Sequence, residues 1–83
     1  MPIQVLLFAS LQDIVGSRRQ DIELPTGSRV ADLVSHLCRQ YPTLSARVPF
    51  LRYAVNETLV GPEHELQSGD EVALMPPTSG GAC

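Results

Sequence analysis

The period of the apolar positions changes several times along the 83-residue chain, and each change marks an element. From Ile3 to Phe8 the residues are branched or aromatic and apolar on both faces, which predicts a strand central in its sheet. Leu11, Ile14 and Val15 then fall at i, i+3 and i+4, a short helical turn stopped by Gly16. Arg18 to Leu24 sets Ile22 and Leu24 against Asp21 and Glu23, a half-exposed strand that ends at Pro25-Thr26-Gly27 and pairs antiparallel with the first.

The strongest periodicity runs from Ser28 or Arg29 to Gln40. Val30, Leu33, Val34, Leu37, Cys38 and Tyr41 form one apolar stripe, with Arg29, Asp32, Ser35, His36, Arg39 and Gln40 facing away, so the helix is expected to lie on a sheet. Ser28 is the expected N-cap, Asp32 and Arg39 suit the two ends of the helix dipole, and Pro42 stops propagation. Thr43 to Val48 allows one more turn before Pro49. Leu51 to Val55 is the next strand, Asn56-Glu57 a tight turn into Thr58-Leu59-Val60, and Gly61-Pro62 its close. After a turn at Leu66 to Asp70, Val72 and Leu74 alternate with Glu71, Ala73 and Met75 in a final strand, which Pro76 and Pro77 end because neither can donate to a ladder. Thr78-Ser79-Gly80-Gly81-Ala82-Cys83 carries nothing large enough to bury, so a mobile tail is expected there.

Composition narrows the picture. The length and a 43% hydrophobic content predict one domain, and with no Trp its core must be mostly aliphatic. The formal charge is −3 and all six basic residues are Arg, so the chain lacks the basic footprint of non-specific phosphate binding. No nucleic-acid partner is expected, and a basic surface on another protein is the better match to the net charge. Val5 to Ala9, the longest apolar run, is too short to span a bilayer, and no basic stretch precedes it. The expectation is a soluble, cytoplasmic chain with no membrane partner and with Cys38 and Cys83 reduced.

No conventional catalytic constellation is visible. His36 and Cys38 lie about 200° apart around the helix, so no metal site is expected from them. His64 stands between Glu63 and Glu65 in a Pro-bounded loop, the carboxylates are dispersed, and Gly80-Gly81 lacks the strand-loop-helix setting of a phosphate cradle. What remains is the tail. Two glycines without Cβ atoms can pass a narrow channel and present a main-chain carboxylate to an enzyme, although composition alone also allows a frayed end.

Phe8-Ala9-Ser10-Leu11, Val30-Ala31-Asp32-Leu33, Ala54-Val55-Asn56, Gly69-Asp70-Glu71-Val72-Ala73 and Pro76-Pro77-Thr78-Ser79-Gly80-Gly81 together resemble the family of small, sulfur-carrying subunits of molybdopterin synthase. That resemblance implies an α+β fold of the β-grasp, or ubiquitin-like, type, with a mixed sheet of four to five strands packed on one main helix. It divides the chain into a β-grasp domain over 1–77 and a flexible tail over 78–83.

By the same resemblance, an E1-like adenylating enzyme joins AMP from ATP to the carboxylate of Gly81. Sulfur displaces the AMP to leave a thiocarboxylate, and the large subunit of molybdopterin synthase receives the tail and its sulfur. Gly81 would carry the sulfur and Gly80 would give clearance, while Met75, Pro76, Pro77, Thr78 and Ser79 would meet the partner. The chain itself would bind no cofactor and hold no catalytic site, acting as a subunit of the synthase. Ala82 and Cys83 depart from the family pattern by locking Gly81 in a peptide bond, which implies a processing peptidase. Two alternatives remain open: a sulfur carrier for cysteine, a thiolated metabolite or transfer RNA, and a ubiquitin-like binding module or protein tag without sulfur.

Overall fold

In a computed structural model, which describes residues 1–76, the chain forms β1 (Pro2–Leu7), α1 (Ser10–Val15), β2 (Arg19–Glu23), α2 (Val30–Gln40), a 3₁₀ segment (Pro42–Phe50), β3 (Arg52–Val55), β4 (Thr58–Val60) and β5 (Glu71–Met75). The strands make one five-stranded sheet in the order β2-β1-β5-β3-β4. β1 is antiparallel to β2 and parallel to β5, and β3 is antiparallel to both of its neighbours. This mixed sheet with one long helix across it is a ubiquitin-like β-grasp fold.

Period-two alternation decides which side chains meet the helix. In β1 and β5, Val5 pairs with Val72 and Leu7 with Leu74, and all four are buried. From β3, Tyr53 and Val55 join the same layer. From α2, Val30, Leu33, Val34 and Leu37 close it, while Cys38 and Tyr41 at the edge of the stripe are only half-buried. The Tyr41 hydroxyl accepts a hydrogen bond from Gln20 Nε2 at 3.0 Å, tying the end of α2 to β2.

Two local expectations change. Ser28 is not the N-cap of α2: Arg29 holds that position, and the buried Ser28 hydroxyl donates to the Pro25 carbonyl at 2.7 Å. Asp32 caps from inside the helix by accepting the Arg29 N–H at 2.8 Å. The first free helical amides go to a distant loop, Val30 N–H to the His64 carbonyl at 3.0 Å and Ala31 N–H to the Pro62 carbonyl at 2.9 Å. With those donors already satisfied by the tertiary structure, Ser28 is free to close the preceding turn. The turn expected at Thr43 to Val48 is a longer 3₁₀ segment that includes both Pro42 and Pro49, and it buries Leu44 completely.

Among the described residues no helix is long and apolar enough to cross a membrane.

Candidate functional site

The position from which the chain continues past β5 is held at both ends of that strand. At its start, Asn56 Oδ1 accepts the Glu71 N–H at 3.1 Å and Asn56 Nδ2 donates to Asp70 Oδ1 at 3.0 Å. The Gly69 N–H reaches the Pro2 carbonyl at 2.8 Å from a left-handed φ of 87°, a conformation that glycine adopts without Cβ strain. At its end, the Leu74 carbonyl accepts the Phe8 N–H at 3.3 Å, and Met75 lies in register with Arg52. β5 is the middle strand of the sheet, paired as far as Leu74 on the β1 side and as far as Met75 on the β3 side. Pro76 has no N–H to extend the ladder, and the chain leaves from a fixed point.

The outer face of the sheet carries apolar side chains toward this exit. Leu6, Ala73, Ala54 and Leu59 stand in one row across β1, β5, β3 and β4. Met75 lies two residues beyond Ala73 on the same face, beside the end of β1 where Phe8 stands. Phe8 is 44% exposed and Leu59 67% exposed, while Leu6 and Met75 are half-buried and lie outside the core cluster. Aliphatic and aromatic surface of this extent around a chain exit has the form of a docking face.

Of the residues expected to act, Met75 and Pro76 sit at the exit, both half-buried. Pro77, Thr78, Ser79, Gly80 and Gly81, with the domain boundary at 77, lie outside the described residues. Leu6 and Leu59 form part of the face without having been marked by any local motif, and Ala54 and Ala73 were marked only as members of family-like segments. The available signal was the apolar residue at each outward position of the alternation, which becomes a patch only once the strand register is known.

The remaining reactive groups do not converge. His36 borders a shallow depression with Glu23, Asp32 and Arg39, whereas Cys38 borders a groove of about 300 Å³ with Val34, Val48, Tyr53 and Pro62. Burial pushes the Tyr53 phenol above its ordinary value of 10.0, and the neighbouring Cys38 thiol adds to the shift. His64 is exposed, and its structural contribution is the main-chain carbonyl that caps α2.

The fold and the exit define a ubiquitin-like protein whose sheet presents an apolar face beside the end of β5, after which the sequence continues to Gly80-Gly81. Residues 5–81 match the ThiS family, and the chain belongs to it. Two relatives described as molybdopterin synthase sulfur carrier subunits cover nearly all of it. One, from Escherichia coli (strain K12), is 39% identical over 95% of this chain and 99% of its own length. The other, from Chlamydomonas reinhardtii, is 36% identical over 98% of this chain and 100% of its own. Among solved structures, the crystal structure of small archaeal modifier protein 1 (SAMP1) from Haloferax volcanii superposes with a TM-score of 0.85 at 27% identity, covering 96% of this chain and 99% of that one.

Proposed function

We propose that this chain is a sulfur carrier for molybdopterin synthesis, with Gly81 as the attachment point. The observation that carries the reading is the interior β5, held at both ends and flanked by apolar surface, from which the sequence runs in five residues from Pro76 to the Gly81 position where the family match ends. A carboxylate is a poor electrophile until one oxygen becomes part of a good leaving group. The Gly81 carboxylate would attack the α-phosphorus of ATP on an E1-like adenylating enzyme, releasing pyrophosphate. A sulfur nucleophile would then displace AMP from the acyl carbon, and the resulting thiocarboxylate would deliver its sulfur inside the large subunit of the synthase. Tethering raises the effective concentration of that sulfur at the reacting centre, and this is the chemical contribution of the carrier.

Because Ala82 follows Gly81 in the sequence, the reading includes cleavage of the Gly81-Ala82 bond before activation. ATP-pyrophosphate exchange by the purified adenylating enzyme tests it. A chain ending at Gly81 is expected to support exchange, and the chain retaining Ala82-Cys83 is expected to fail. Equal exchange by both, with the two residues still present by mass, contradicts the assignment of Gly81.

The likeness to the archaeal modifier favours a second reading, in which the acyl-adenylate is passed to an amine of another protein. It would leave the chain in amide linkage to a target instead of carrying sulfur.

A further inference from the structure

The net charge of −3 conceals a separation of charge along the strands. Arg19 starts β2 opposite Leu6, Arg52 starts β3 opposite Met75, Arg18 precedes β2, and Arg47 in the 3₁₀ segment donates to Ser10 Oγ at the start of α1 at 3.0 Å. Four of the six basic residues of the chain thus gather at the end of the sheet from which the chain continues past Met75. All four are exposed, and among the described residues none makes a salt bridge. Glu23, Glu57, Asp70 and Glu71 stand at or beside the opposite strand ends. From Glu71 to Met75 the polarity reverses over about 13 Å at roughly 3.3 Å per residue.

We infer that the arginine-rimmed exit, with Phe8 and Met75 at its apolar centre, docks against an acidic rim around the tail-receiving pocket of a partner protein. The inference rests on the sulfur-carrier reading and specifies the partner surface. Apolar centre and charged rim are the usual anatomy of a protein interface. Nucleotide phosphates are not the fitting occupant. Gly81 lies five residues beyond Pro76, a reach of about 16–18 Å when drawn through a channel, so phosphates reacting at Gly81 lie well beyond the rim. Nucleic acid is disfavoured by the acidic opposite end, which a polyanion spanning the domain would also meet. The same charge separation orients the domain tail-first in the field of an acidic partner, so its main effect is on the rate of encounter.

Stopped-flow association with the large synthase subunit and with the adenylating enzyme, run from low to physiological ionic strength, tests the inference. The double variant Arg19→Ala/Arg52→Ala is expected to bind at least one partner about tenfold more slowly at low salt, with a flattened salt dependence. Arg19→Lys/Arg52→Lys is expected to restore the rate, and Arg29→Ala at the other end to leave it unchanged, with thermal midpoints confirming that all variants fold. Complex formation with rates indifferent to the Arg19 and Arg52 substitutions overturns the acidic-rim inference and leaves the carrier reading standing. Failure of the chain ending at Gly81, with Arg19 and Arg52 intact, to bind either partner at any salt overturns both.

Discussion

Asn56 and Asp70, 14 positions apart in the chain, are joined side chain to side chain at 3.0 Å. This bond ties the β3–β4 turn to the residue just before β5. Asn56 and Glu57 both take positive φ, 50° and 71°, the geometry of a type I′ hairpin turn and one that Asn tolerates better than most residues. The same Asn56 side chain accepts the Glu71 N–H, and the Asn56 main-chain N–H donates to the Glu71 carbonyl at 2.9 Å.

Replacing Asn56 should therefore cost twice. Asn56→Ala loses the side-chain hydrogen bonds and strains the turn, with an expected loss of about 1–3 kcal/mol. Asn56→Gly relieves the dihedral but not the lost bonds, so its urea midpoint should fall between those of Asn56→Ala and the wild type. A wild-type midpoint for Asn56→Gly would reduce the residue to a turn former.

Leu37 is fully buried in the stripe that α2 lays on the sheet. Leu37→Ala should cost about 2–5 kcal/mol, a large share of the roughly 4–12 kcal/mol that a chain of this length commands. Urea unfolding checks this, and an unchanged midpoint would remove the helix from the core.

The raised pKa of Tyr53 makes stability fall with alkali. The neutral phenol is favoured in the folded chain, so its contribution is complete below the ordinary value of 10.0 and is lost as pH rises toward and through the higher folded value. Urea midpoints should drop as pH rises past 10.0, and Tyr53→Phe should flatten that drop. An identical fall in the variant would assign the effect to other groups.

The hairpin at Asn56-Glu57 and the stripe from Val30 to Leu37 were legible in the sequence because each signal is local: a pair of turn residues in one case, a helical period in the other. That hairpin also fixes Ala54 opposite Leu59, but the pairing of Leu6 with Ala73 was not legible, since alternation tells which residues share a face but not which distant strands are neighbours. Ser28 misled because the donors it was expected to satisfy are met by carbonyls of Pro62 and His64, more than thirty positions downstream. Phe8, Ala54 and Ala73 were visible within family-like motifs and Met75 as an expected partner contact, yet only the sheet register gathers them on one face.

The outer face should be needed for binding and dispensable for folding. Met75→Asp and Leu59→Asp are each expected to weaken binding to the large synthase subunit by at least about tenfold, or about 1.4 kcal/mol, with little change in the urea midpoint. Titration calorimetry reads the affinity. Undiminished binding by both variants would remove this face from the interface.

The central claim is that Gly81 becomes the sulfur-bearing end of the chain, and intact-mass spectrometry of the protein isolated from its native cells tests it most directly. The account expects a species ending at Gly81, without Ala82-Cys83, of which a fraction carries the mass change of one carboxylate oxygen replaced by sulfur. That fraction should disappear on treatment with a thiol-alkylating reagent and return as its adduct. A chain that retains Ala82-Cys83 throughout, with no sulfur-bearing species at Gly81 in cells actively making molybdopterin, would contradict it.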